Sequence, residues 1–349
     1  MFELQVNASG KYGVYITRGM ENFREKAVAK AIGKKVAIVT DSEVNKIYGD
    51  ALLPFFNDKT VIKIVVPSGE DSKNGENYFK ILNTLAENGF TREDSLVAFG
   101  GGMVGDLTAF AASTYMRGIT VIAVPTTILS MVDSSVGGKT AINLRAGKNL
   151  CGTFYQPKAV YINADFINTL PKRELLSGYG EILKYALLER TINISSLTQK
   201  ADEKLIYDCL KIKRDIVEKD EKENGIRAFL NLGHTVGHAL EKLYEYKVSH
   251  GECVAKGLKF SVFASKELYS LKDETVEEMM KLLTSFDHDF SVDFTAKEIA
   301  EKTVSDKKCR GETINFVALK GIGKPSIEKL TLNQLFLLLE KYERNNYSV

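Results

Sequence analysis

The sequence predicts an α/β protein in two parts. A parallel sheet covered by helices occupies 1–170, and a mainly α-helical domain occupies 171–349. Three observations predict this. Short β-branched runs, each closed by turn residues, alternate with amphipathic stretches through the first half. Those runs are apolar nearly throughout rather than alternating, as strands covered on both faces are. After Pro171 the spacing becomes helical.

The predicted strands are Val36–Val39, Val61–Val66, Leu96–Phe99, Thr120–Val124 and Ala159–Ile162. Between them lie stretches such as Tyr78–Glu87, whose apolar residues share one helical face and which Asn88-Gly89 closes. In the second half the spacing predicts helices over Glu181–Glu189, Leu205–Lys219, Ala228–Tyr244, Val254–Tyr269, Val276–Leu283 and Leu332–Tyr342, with one strand over Thr313–Leu319. A cleft between the two domains is the expected place for a site.

In an open parallel sheet, ligands sit beyond the carboxyl ends of the strands. Three of these ends carry unusual residues. The first predicted strand runs into Asp41, a carboxylate placed to accept ribose hydroxyls. The second is followed by P-S-G-E-D-S-K, with Glu70 and Lys73. The third runs into G-G-G-M-V-G-D, with Gly101, Gly102 and Asp106. Glycines followed by a helix start let the backbone approach a pyrophosphate, and the helix N-terminus favours the anion. The first domain therefore reads as Rossmann-like and nucleotide-binding, although the spacing is not G-x-G-x-x-G. The next segment concentrates polar groups: Thr126, Thr127, Asp133 and Lys139, then Lys148 and Asn149 in G-K-N-L, with Arg117 upstream. Lysines in glycine-rich turns commonly bind phosphate or carboxylate.

The second domain holds the metal signal. Three of the four histidines fall between Asn231 and Glu252, in N-L-G-H-T-V-G-H-A-L-E and H-G-E. His234 and His238 are four residues apart and share a helical face, and His250 follows a short loop. Two or three imidazoles with a carboxylate make a zinc site with a position left open. Glu181, one turn from Lys184 on the otherwise apolar Y-G-E-I-L-K-Y, is a candidate carboxylate. The spacing leaves open which histidines bind metal and which move protons.

Composition excludes other classes. A net charge of +2 and 44% hydrophobic residues give no sign of nucleic acid or a membrane surface as partner. The apolar stretch Leu96–Val132 is broken by Asp106, Arg117 and many glycines, so it is not a membrane span. Cys151, Cys209, Cys253 and Cys309 form no C-x-x-C pair, and no apolar leader follows Glu3. A cytoplasmic protein with reduced thiols is expected.

From Asp41 to about Gly323 the chain resembles the 3-dehydroquinate synthase family of the sugar-phosphate cyclase superfamily. The resemblance rests on P-S-G-E-x-x-K, G-G-M-V-G-D, Y-M-R-G, P-T-T, V-D-S-S-V-G-G-K-T, G-K-N-L, T-L-P-x-R-E, E-I-L-K-Y, L-N-L-G-H-T-V-G-H-A-L-E, H-G-E and D-K-K. It implies a homodimer with bound NAD and a divalent metal, usually zinc, with cobalt as the alternative. It also implies metal ligands at Glu181, His234 and His250, leaving His238 as a polar active-site group. The implied NAD contacts are Asp41, Glu70, Lys73, Gly101, Gly102, Asp106, Thr126, Thr127 and Lys148. The implied substrate and catalytic groups are Arg117, Asp133, Lys139, Asn149, Lys184, Lys213, Arg227, Asn231 and His238, joined by Lys307 or Lys308 of D-K-K. Of these, Arg227 suits a carboxylate, and Arg117, Asn149 and Lys184 suit a phosphate.

The implied reaction converts 3-deoxy-D-arabino-heptulosonate 7-phosphate, a sugar-phosphate acid, into 3-dehydroquinate and phosphate, a step of the shikimate route. It proceeds by transient oxidation at C5, β-elimination of phosphate, return of the hydride, ring opening and intramolecular aldol closure. Apart from an inactive NAD-binding regulator, against which the intact metal triad argues, two rivals stand beside it. One is another sugar-phosphate cyclase, against which Arg227 and D-K-K argue. The other is a metal-dependent polyol dehydrogenase, which would release NADH and need no phosphate cluster. Four positions depart from the family pattern: Glu43 for Asn, Ser130-Met131 for Ala-Gln, and Gly180 for Ala. Of these, Met131 is the one expected to alter a wall of the site.

Overall fold

The β-branched runs of the first half are strands, and most of their side chains are buried. In the computed structural model, which describes residues 1–192, 201–304, 309–310 and 313–345, the chain begins with β1 (Phe2–Asn7), β2 (Lys11–Thr17) and α1 (Phe23–Lys26). Then come β3 (Lys35–Asp41), α2 (Ser42–Tyr48), β4 (Thr60–Val66), α3 (Gly75–Glu87), β5 (Ser95–Gly100) and α4 (Gly102–Thr114). β6 (Thr120–Pro125), β7 (Lys139–Leu144), β8 (Gly147–Phe154) and β9 (Ala159–Asn163) follow. The remainder is α5 (Lys172–Leu188), α6 (Glu203–Lys219), α7 (His234–Leu243), α8 (His250–Tyr269), α9 (Asp273–Leu283), α10 (Ala296–Val304), β10 (Cys309–Arg310), β11 (Thr313–Leu319), β12 (Pro325–Thr331) and α11 (Leu332–Arg344).

Two units result. One is Met1–Leu170 with Ala201–Glu221, and the other is Pro171–Lys200 with Lys222–Val349. α6 therefore returns to the first unit, which a single boundary near 170 does not capture. Its amphipathic pattern names a buried face but not the element that covers it.

The first unit contains a seven-stranded sheet in the order β1-β2-β9-β6-β5-β3-β4. Only the β1–β2 pair is antiparallel. All five predicted strands are present, each extended by one to three residues. The edge hairpin β1–β2 and the separate β7–β8 hairpin had no counterpart in the sequence reading. β8 is half-buried to exposed along its length, so it carries no run of apolar residues. The order reverses at β3, with β4 on one side and β5 on the other, and such a switch point opens a crevice at the carboxyl ends of β3 and β5. Beneath it, Ile81 and Leu85 of α3 and Leu107, Phe110 and Ala111 of α4 pack on Val39, Ile64, Leu96 and Val121.

In the second unit, glycines decide how closely α5, α7 and α8 approach. A Cβ at Gly251 would lie 1.7 Å from the Ser177 carbonyl oxygen, and one at Gly180 would lie 2.0 Å from that of Gly251. A Cβ at Gly257 would lie 2.0 Å from the carbonyl oxygen of Gly233. Real Cβ atoms do not come that near, so only glycine permits these crossings. Gly180 departs from the family's alanine at one of them. The unit's core joins Leu240, Phe260, Phe263, Phe316 and Tyr342. The helix predicted over Ala228–Tyr244 is instead a 3₁₀ turn, Ile226–Asn231, followed by α7. Gly233, at φ 79°, breaks it. Among the described residues no helix is long and apolar enough to cross a membrane.

Asp94 ties the start of β5 to the start of β3. It accepts from the Thr91 amide (2.7 Å) and hydroxyl (3.0 Å) and from the Lys35 (2.9 Å) and Lys34 (3.2 Å) amides. Burial works to raise its carboxyl, but these hydrogen bonds outweigh burial and hold it below the ordinary carboxylate range. A depressed pKa stabilises the fold above the unfolded value, and that contribution disappears as pH falls through the folded value. Asp94→Asn should cost about 1–3 kcal/mol at neutral pH. In urea titrations the gap from wild type should narrow below about pH 4, whereas a constant gap would show that charge is not what Asp94 contributes.

Candidate active site

In the first unit, the expected nucleotide groups gather at the switch point. Asp41 caps α2, its Oδ1 accepting from the Glu43 (2.9 Å) and Val44 (3.0 Å) amides. Part of that carboxylate is thus committed to the helix, and Glu43 contributes an amide there. Lys73 is buried between two carboxylates, its Nζ 3.0 Å from Glu70 Oε1 and 3.0 Å from Asp106 Oδ2. Burial alone would lower this lysine, but the two anions outweigh it and raise it, so it stays protonated. Gly101 is the N-cap of α4 and Gly102 its first residue. They line a pocket with Gly105, Asp106, Ser130, Ser134, Ser135 and Lys139. At Gly105 a Cβ would meet nothing within 4 Å, so protein packing does not require glycine there. Thr127 Oγ1 lies 2.9 Å from Ser130 Oγ. Thr126 Oγ1 and Ser135 Oγ are buried with no hydrogen-bond partner among the described residues. Open space at a glycine turn, a helix N-terminus and orphaned hydroxyls fit a dinucleotide.

Asp133 sits in a π-helical turn, Ser130–Ser134. It meets Lys213 of α6, whose Nζ donates to the Asp133 carbonyl at 2.7 Å and lies 3.1 Å from Oδ2. Lys139, exposed, opens β7. Lys148 and Asn149 lie on the β7–β8 hairpin, where Asn149 adopts φ 56°. Asn143, missed in the sequence reading, links these groups. Its side chain donates to Glu70 Oε1 at 2.9 Å and accepts from the Asn149 amide at 2.9 Å. Met131 does not form a wall. It is fully buried, and Ser130 faces the pocket instead, because the π turn directs the methionine into the core. Arg117 is not brought to this group. It is exposed at φ 68°, just before β6 begins, while Thr126 and Thr127 follow its end. The intervening strand spans about 20 Å at ~3.3 Å per residue.

The second unit holds the histidines. His234 is the first residue of α7 and His250 the first of α8. Glu181, on α5, is 1% exposed. Its Oε1 lies 3.4 Å from His234 Nε2 and 3.2 Å from His250 Nε2, and its Oε2 is ion-paired with buried Lys184. His234 Nδ1 donates to the Leu232 carbonyl at 3.1 Å, which leaves a lone pair on Nε2. His250 Nδ1 faces Glu241 Oε2 at 3.0 Å, and Glu241 is a second residue the sequence reading missed. Burial works to raise the Glu181 carboxyl, but Lys184 and the hydrogen bond from His250 hold it well below its ordinary value. Burial pushes His234 down to about 4 against the pull of Glu181, so it is neutral near pH 7. At His250 burial is outweighed by hydrogen bonds to Glu181 and Glu241, and the ring is raised to about 10. Two carboxylates here favour positive charge.

The donors fit a divalent ion. Two ligands each ~2.05 Å from a tetrahedral centre stand about 3.3 Å apart, close to the spacing between Glu181 and each imidazole. Glu181, His234 and His250 offer atoms all within 4.8 Å of one another. His238, Glu241 and His250 also converge within that distance, but there Glu241 already accepts from His250 Nδ1. His238 is half-buried, its ring 5.2 Å from that of His234 and 5.8 Å from that of His250. Asn231 donates to Glu223 Oε1 at 2.6 Å, and Arg227 is 2% exposed. Lys307 and Lys308 lie outside the described residues.

Comparison with known proteins fits this geometry. A profile described as 3-dehydroquinate synthase N-terminal matches residues 63–177, and its C-terminal counterpart matches 178–309. A 3-dehydroquinate synthase of Clostridium acetobutylicum is 42% identical over 341 residues, 94% of this chain and 96% of that relative. One from Alkaliphilus metalliredigens is 38% identical, covering 98% of this chain and 99% of its own length. Among solved structures, 2-deoxy-scyllo-inosose synthase complexed with carbaglucose-6-phosphate, NAD⁺ and Co²⁺ superposes with a TM-score of 0.89. It is 22% identical and covers 97% of this chain and 99% of its own, so it bears on the fold alone. On the two profile matches and the near-full-length identity of about 40%, the chain is an enzyme that belongs to the 3-dehydroquinate synthase family.

Proposed function

We propose that this enzyme is a phosphate lyase and cyclase that converts 3-deoxy-D-arabino-heptulosonate 7-phosphate into 3-dehydroquinate and phosphate. The observation that carries the reading is the convergence of Glu181, His234 and His250 in a chain with this family membership. When bound, NAD accepts a hydride from the substrate and returns it, and a divalent ion, Zn²⁺ or Co²⁺, polarises the substrate oxygens. In this reading the first unit holds the dinucleotide through Asp41, Glu70, Lys73, Gly101, Gly102, Asp106, Thr126, Thr127 and Lys148. The second holds the ion through Glu181, His234 and His250. Lys184 keeps Glu181 ionised and fixes the rotation of its carboxylate, since it pairs with the oxygen that faces away from the imidazoles.

His238 stands beside these ligands without belonging to their set and moves a proton at a ring nitrogen. Arg227, with Lys307 or Lys308, binds the substrate carboxylate, for which a guanidinium fork is matched. Arg117, Asn149 and Lys184 serve the substrate phosphate, and Lys139, Asp133, Lys213 and Asn231 complete the substrate and catalytic groups. Holding anionic groups away from water supplies the orientation that elimination and ring closure require. The positions of Cys151, Cys209 and Cys253 as thiols are consistent with a cytoplasmic enzyme.

We propose a homodimer in which Arg117 serves the partner's site, because its place before β6 separates it from Thr126 and Thr127 of its own chain. Mixing Arg117→Ala with Lys139→Ala protein should restore up to about a quarter of the activity through hybrid dimers with one intact site. Mixtures as inactive as the parents would return Arg117 to its own protomer.

Turnover should depend on NAD yet leave no NADH, with one phosphate released per substrate. Stoichiometric NADH accumulation would favour a polyol dehydrogenase. Absence of phosphate release from this seven-carbon acid would favour a rival cyclase.

Substituting Glu181, His234 or His250 by alanine should strip the metal and abolish activity. His238→Asn should retain near one equivalent while slowing turnover about 10²-fold or more. Metal analysis of the purified variants decides it: a metal-free His238 variant or a fully loaded His250 variant overturns the ligand set.

A further inference from the structure

His250 is held differently from His234. The ring of His234 is fixed from its own chain segment, by the carbonyl of Leu232 two residues before it. His250 is the first residue of α8, with no helical turn before it. The preceding residue, Ser249, is engaged in a capping box with Glu252, so it is spoken for as a local partner. What meets His250 Nδ1 is Glu241, from the last turn of α7, at 3.0 Å. Glu241 is buried, 7% exposed, on the same face of α7 as His234 and His238, at i+7 and i+3 from them. A buried carboxylate has no water to solvate it, so it holds the imidazole N–H strongly.

We infer that Glu241 is a positioning residue for the metal centre: by accepting the Nδ1–H of His250 it fixes the tautomer and rotation that present Nε2 beside Glu181 Oε1. The inference rests on the ligand set proposed above. Acceptors of this kind also raise the basicity of the ligating nitrogen, and their loss typically weakens metal binding about 10–100-fold. The feature couples two helices, since the ligand comes from α8 and its support from α7. The packing that Gly257 allows against Gly233 keeps those helices in register.

The test is Zn²⁺ affinity of the full-length enzyme, measured by competition with a chelator. Glu241→Ala should weaken Zn²⁺ binding about 10–100-fold, and Glu241→Gln, which keeps an acceptor but no charge, should weaken it less. The thermal melt of the metal-free protein should change little for Glu241→Gln, which preserves the shape and carries the test if the alanine variant fails to fold. Wild-type Zn²⁺ affinity in both variants, while His250→Ala loses the ion, overturns the inference alone. Retention of Zn²⁺ by His250→Ala overturns the ligand set and the inference together. Complete loss of Zn²⁺ in Glu241→Gln together with loss in His238→Asn would make Glu241 a ligand and overturn the positioning role.

Discussion

A carboxylate almost wholly removed from water is the constraint on which the second unit depends. Left alone, Glu181 would take up a proton rather than remain charged. Lys184 one turn along the same helix and the His250 ring from another helix keep it ionised. Each helix therefore contributes a group that is costly to bury without the others. α5 brings the carboxylate, α7 brings His234 and Glu241, and α8 brings His250. The backbone contacts at Gly180, Gly251 and Gly257 serve this arrangement, because in this chain an added Cβ at any of them would lie 1.7–2.0 Å from a carbonyl oxygen of the facing helix or its N-cap, so the helices would have to shift.

The first unit follows a different logic with similar parts. Its sheet supplies a rigid edge, and the polar groups sit where strands end and backbone amides point outward. Lys73 stands between Glu70 and Asp106, with charge neutralised locally before any ligand enters, much as Lys184 neutralises Glu181. Asn143 joins that cluster to the Asn149 turn, whose left-handed backbone at φ 56° is a conformation asparagine tolerates better than most residues.

Several departures between sequence and structure share one cause. The helix expected from Ala228 fails because Gly233 takes a left-handed conformation, and that break makes His234 a helix-starting residue. Met131, which stands where the family pattern has Gln, is expected to alter a wall of the site, yet a π turn sends it into the core and leaves Ser130 at the pocket. Glu241 lies in a quoted motif but reads as an ordinary helical glutamate, because its partner comes from the next helix. Backbone irregularities and partners from other elements leave little periodic trace.

The sequence by itself determined the parallel strands, most of the helices, and the residues of nearly every polar cluster. Apolar runs and helical spacing are local properties, and motifs such as G-H-T-V-G-H-A-L-E are contiguous. It did not decide how those clusters are wired. That Glu181 reaches both His234 and His250 through one oxygen, that Lys213 closes on Asp133, that Glu241 supports His250 and that Arg117 stands at the far end of β6 are facts of tertiary structure. They depend on which helix packs on which and on where a strand begins relative to where it ends. A one-dimensional pattern encodes the face a residue occupies, while the partner across from it is set only when the chain folds.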